Sequence, residues 1–123
     1  MSANINNTLD TQYLQEIYGG DHSILQIMFK FFLEDSLKTW QEISLSIENR
    51  DFMKVRAQVH QIKPSFSMVG LTHFHSKILA FENLSNSNPT KEILLANYLS
   101  LDEYVREAKT VIEIALMEIS SIN

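Results

Sequence analysis

Three residues of the segment Arg56–Lys63 place an imidazole between two cations. On a helix, residues three or four apart are neighbours, so Arg56, four before His60, and Lys63, three after it, would flank the ring. Imidazole has an unperturbed pKa of about 6.5, so its uncharged, nucleophilic form is available near neutral pH. A reachable ring nitrogen with positive charge beside it suits attack on phosphorus and retention of the phosphoryl oxygens. The compact side chains Ala57, Pro64 and Ser67 share this region, and Met53 and Met68 lie at its edges. Together they would make a low, partly apolar collar on which a partner could sit.

Whether His60 is reachable depends on the helix that carries it. Asp51 is a suitable cap for a helix over about Phe52–Val69, ending at Gly70. At about 100° per residue, Phe52, Val55, Val59, Ile62, Phe66 and Val69 gather on one side, the predicted core face. His60 falls well away from the middle of that arc and is predicted to stand at the surface.

The rest of the chain supplies the frame. A first short helix is predicted from Asp10 to Tyr18, stopped by Gly19-Gly20. Asp21 caps a long second helix reaching to about Asn49, with Leu25, Met28, Phe29, Phe32, Ser36, Trp40, Ile43 and Ile47 as its core stripe. A further helix runs from Thr72 to Leu84. Ser85–Asn88 reads as a loop, with Asn88-Pro89 as cap and first turn of a last helix over Thr90–Ser120. The predicted fold is all-α, an antiparallel up-and-down four-helix bundle with a short additional N-terminal helix. Residues 1–8 are read as a flexible tail and 9–123 as one domain. On the second helix Ile24, Ile27 and Phe31 form another apolar strip, which either docks a partner or is covered by the first helix.

Composition removes several function classes. The chain of 123 residues is 45% hydrophobic and 20% charged, with 3 Gly and 2 Pro, as expected of one helical globular domain. It has no cysteine, hence no disulfide framework and no thiol chemistry. The net charge of −5 argues against gripping nucleic acid. The N-terminal residues MSANINNTLD do not read as a secretory signal and no stretch reads as membrane-spanning, so a cytoplasmic protein is expected. His73 and His75, two apart, diverge on a helix and make a poor metal pair. No G-x-x-x-x-G-K-[ST] loop is present to hold ATP.

The stretch from Val59 to Leu71, VHQIKPSFSMVGL, resembles the signature of histidine-containing phosphotransfer (HPt) domains: His, Lys three later, often Ser at five, and Gly at ten. Phe74 and the pair Phe81-Glu82 continue the pattern. Upstream, Tyr18-Gly19-Gly20-Asp21 and Phe31-Phe32-Leu33-Glu34 look like the family's helix-opening turn and second helix. The resemblance covers about Leu9 to Leu84. It implies that His60 is the phosphoacceptor, that Lys63 lies beside the phosphate, and that Glu82 stands where the family often places Glu or Gln beside the histidine. It also implies a phosphorelay carrier and not an autonomous enzyme. Such a carrier works with a response-regulator receiver domain and a sensor histidine kinase or hybrid kinase, with no cofactor of its own. Mg²⁺ would come from the receiver, and the carrier is expected to be a monomer. Phe31 and the collar are expected to meet the receiver.

Two positions depart from the pattern. Pro64 stands where the family usually has glycine, which predicts a local bend, a free His60 carbonyl and a firmer apolar edge beside the ring. Leu71 stands where alanine is common, which concerns packing. The rival reading is a four-helix protein-interaction module without phosphotransfer, an inactive relative in which Pro64 blocks the ring.

Overall fold

In the computed structural model the described residues are 9–122, and every regular element in that span is helical. The tail expected over residues 1–8 lies outside them. Helix α1 (Thr11–Tyr18) starts where Asp10 offers an acceptor: its Oδ1 takes the Tyr13 amide at 3.0 Å, satisfying a donor that every helix start leaves orphaned. It ends at Gly19, whose φ of 60° is left-handed. Asp21 then caps α2 (His22–Phe31) by accepting from the amides of Ser23 and Ile24.

From α2 the chain passes through a π turn (Phe32–Ser36) into α3 (Leu37–Glu48), with helical dihedrals at both junctions. The sequence predicts an unbroken α-helix here, and the structure corrects it. Ser36 and Leu37 are both buried, yet consecutive residues stand about 100° apart on an α-helix. The wider turn, closed by the Leu37 amide on the Phe32 carbonyl, accommodates the extra inward residue.

Asp51 caps α4 (Phe52–Met68) through the Lys54 amide. Val55, Val59, Ile62 and Phe66 are buried on its core face and Val69 just beyond its end, as the wheel predicts, whereas Phe52 is only half-buried. Gly70 turns the chain with φ 89°. A 3-10 turn (Thr72–Phe74) leads into α5 (His75–Ser85), so Ser85, read as loop, is the last helical residue and is buried. The last helix, α6 (Lys91–Ile122), is capped by Thr90, whose Oγ1 accepts the Ile93 amide at 3.2 Å. This corrects the Asn88-Pro89 cap: Asn88 takes a left-handed φ of 56° and serves to turn the loop.

α4 packs between α3 and α5, and α6 closes the bundle against α2, α3 and α5. One aromatic group fixes α4 against its neighbours and a second ties α3 to α6. Phe66 of α4 meets Phe32 edge-on (5.4 Å between centroids) and stacks on Phe74 (4.6 Å). Trp40 of α3 stacks on Tyr98 of α6 at 4.5 Å and donates Nε1–H to Asp102, and the Tyr98 hydroxyl donates to the Trp40 carbonyl. α1 is pinned to the C-terminal end of α4. The Asp10 amide donates to the Gly70 carbonyl, Thr72 Oγ1 to Asp10, and the Tyr18 hydroxyl to the Met68 carbonyl.

Candidate phosphoacceptor site

His60 shares α4 with the buried Val59 and Ile62 but points the other way, and its side chain is 75% exposed. Pro64, one turn on, is accommodated inside the helix and exposed. It does not enclose the ring.

Opposite His60, α5 buries Ile78, Phe81 and Ser85 and brings Glu82 to the seam with α4, where it is 8% exposed. Glu82 Oε2 lies 2.8 Å from His60 Nδ1, and Oε1 accepts a 2.7 Å hydrogen bond from Lys63 Nζ. The Lys63 hydrogen bond, seconded by that to His60, holds the Glu82 carboxyl below its ordinary pKa against the opposing effect of burial. Glu82 is thus a carboxylate near neutral pH, able only to accept. Neutral His60 accordingly carries its hydrogen on Nδ1, donating to Glu82, and leaves the Nε2 lone pair facing outward.

Of the two flanking cations, Lys63 joins this cluster. Arg56 points to the end of α5, where its Nη1 donates to the Ser85 carbonyl at 3.4 Å. Ala57, Met53 and Pro64 are exposed around the histidine, Met68 is more than one-third exposed and Ser67 is half-buried. On the α2 side, Met28, Phe31, Pro64 and Met68 line a mostly apolar groove of about 230 Å³ that Gln61 and Asp35 also border. The strip Ile24, Ile27, Phe31 is not covered by α1: Ile27 is 63% and Phe31 49% exposed.

Sequence reasoning set Lys63 and Glu82 each beside His60 but missed that they pair with one another; a shared neighbour was the available hint. It also missed Gln58, buried on α4 and accepting from Ser46 Oγ at 2.9 Å, and the contribution of Met28 and Gln61 to the groove. Among the described residues no three His, Asp or Glu side chains are placed to hold a metal ion, and no helix is long and apolar enough to cross a membrane.

The family model of the Hpt domain matches residues 28–112, a span from α2 into α6 that includes His60, Lys63 and Glu82. Among curated proteins and among solved structures, no match was found. Family match, helical bundle and outward histidine agree, and the chain belongs to the Hpt domain family, whose members are phosphocarriers of two-component signalling.

Proposed function

We propose that His60 accepts a phosphoryl group on Nε2 and passes it to, or takes it from, the aspartate of a response-regulator receiver domain. The observation that carries this reading is the 2.8 Å contact of Nδ1 with the sheltered Glu82 on a ring that is 75% exposed. The Nε2 lone pair attacks the phosphorus of the receiver's aspartyl phosphate. The N–P bond forms as the P–O bond to the carboxyl group breaks, and the aspartate leaves with the electron pair. The Nδ1 hydrogen stays in place, and Glu82 balances the positive charge left on the ring, an orienting role that needs no proton relay. Lys63 holds the phosphoryl oxygens, and Arg56, engaged with the Ser85 carbonyl, makes the lesser contribution. Mg²⁺ and the acidic pocket belong to the receiver, and the chain needs no cofactor of its own.

Phe31, Pro64 and Met68 at the groove, with Met53, Ala57 and Ser67 around the ring, form the face that meets the receiver. We read the chain as a cytoplasmic monomer supplied by a sensor histidine kinase or hybrid kinase. We also read α2–α3, α4, α5 and α6 as an antiparallel up-and-down bundle, because their connections are short. The rival, an interaction module without phosphotransfer, depends on Pro64 closing the ring, and the exposure of His60 speaks against it.

Incubation with a phosphorylated receiver, or with phosphoramidate, is expected to give acid-labile, base-stable phosphate that disappears in His60→Gln. Label that persists in that variant, or an unlabelled wild-type chain, overturns the proposal.

A further inference from the structure

Within the Glu82 cluster the lysine expected to hold phosphate is already engaged. Lys63 Nζ donates to Glu82 Oε1 at 2.7 Å, while Oε2 faces His60 Nδ1 at 2.8 Å. With a neutral ring the three side chains form a balanced group: one carboxylate, one ammonium, one uncharged imidazole. Arg56 is turned to the Ser85 carbonyl. In this state Lys63 presents its charge to Glu82.

Phosphorylation upsets that balance. Three acceptor oxygens and further negative charge arrive at Nε2, and a ring bearing phosphoryl on Nε2 and hydrogen on Nδ1 is itself positively charged. Glu82, almost buried, then has a cation of its own across the 2.8 Å contact. The phosphoryl group becomes the anion without a partner. Lys63 can reach it, because it lies one turn from His60 on a flexible four-carbon stem.

We propose that Glu82 is a positioning residue for Lys63 as well as for His60. It keeps the ammonium in reserve and yields it to the phosphoryl oxygens when the ring becomes charged. The proposal rests on the phosphoacceptor reading and adds an exchange of partners: Lys63–Glu82 before transfer, Lys63–phosphoryl and imidazolium–Glu82 after it. In reverse, departure of the phosphoryl group returns Lys63 to Glu82, so the empty carrier leaves no unpaired ammonium at the site to attract other anions.

The exchange is read by NMR on the full chain labelled with ¹³C and ¹⁵N. Phosphoramidate serves as donor; its P–N bond breaks and ammonia leaves as the Nε2–P bond forms. Before treatment, the Lys63 ¹⁵Nζ is expected to show a hydrogen-bond scalar coupling to the Glu82 carboxylate carbon. After treatment that coupling is lost and one to ³¹P takes its place. In Glu82→Gln, whose amide oxygen can still accept from Nδ1, the unphosphorylated Lys63 signal is expected to broaden through exchange with water. The ³¹P coupling still forms once His60 is phosphorylated. A phosphohistidine ³¹P resonance with the Lys63–Glu82 coupling intact overturns the exchange and leaves the phosphoacceptor reading standing. Absence of that resonance overturns both.

Discussion

Glu82 and His60 touch at 2.8 Å across the α4–α5 seam, yet the carboxylate side chain is 11% exposed and the imidazole 75%. The orienting group is sheltered and the reacting group is open. Because the sheltered member belongs to the bundle's packed seam, its ionisation is coupled to folding.

That coupling has a definite sign. The folded-state pKa of Glu82 lies below its ordinary 4.5, chiefly through the Lys63 hydrogen bond. A depressed carboxyl contributes stability that is fully present above the unfolded-state pKa and is lost as pH falls through the folded-state value. Glu82→Gln removes this contribution. Urea unfolding near pH 7 is expected to find the variant less stable by about 1–3 kcal/mol, the usual cost of unpairing a sheltered charged hydrogen bond. The gap should narrow as pH drops below 4.5. A gap independent of pH would assign the loss to packing.

Pro64 occupies the interior of α4, where proline can donate no amide hydrogen to the carbonyl four residues back, that of His60. Its ring is exposed, so little packing depends on it. Pro64→Ala is expected to restore the helix bond and to stabilise the chain by about 1–3 kcal/mol. Labelling of His60 by phosphoramidate should stay the same, because the imidazole is already open. Faster labelling in the variant would mean that the pyrrolidine does obstruct the ring, and would favour the blocked reading.

What the sequence disclosed depended on how local the information was. The outward position of His60 follows from one helix and its period, so the wheel found it. Glu82 lies on another helix, and nothing in the spacing of α4 tells which residue of α5 comes opposite; only the family resemblance pointed there. The Lys63–Glu82 pair requires that register too, and only the shared neighbour His60 hinted at it. The π turn was invisible for another reason: buried Phe29, Phe32, Ser36, Trp40, Ile43 and Ile47 already fit an uninterrupted α-helix, and the burial of Leu37 that betrays the turn is a tertiary fact. At the start of α6 two cap-like sequences compete, and the hydroxyl of Thr90 prevails over Asn88, whose tolerance of left-handed φ makes it the turn residue.

Gly70 tests how α1 is held. Its φ is 89°, and a Cβ there would come within 2.9 Å of Leu14 Cδ1, with Leu14 buried against the turn. Gly70→Ala is expected to cost about 1–3 kcal/mol from backbone strain and overlap. It should also loosen the Asp10–Gly70 and Tyr18–Met68 bonds that pin α1. Amide exchange would register this as earlier opening of Thr11–Tyr18 than of α4. Equal protection of the two helices would show that α1 is held by other contacts.

Phe31 separates a docking face from a structural one. It is 49% exposed on the rim of the groove that Pro64 and Met68 share, and α1 leaves it uncovered. Phe31→Asp is therefore expected to change stability by no more than about 1 kcal/mol in chemical unfolding. Phosphoramidate labelling of His60 should proceed at the wild-type rate, since a small donor needs no groove. Transfer from a phosphorylated receiver should slow by about tenfold or more, the loss of one aromatic anchor worth over 1 kcal/mol. Equal transfer rates would place the receiver elsewhere on the histidine face, and a large loss of stability would return Phe31 to the core.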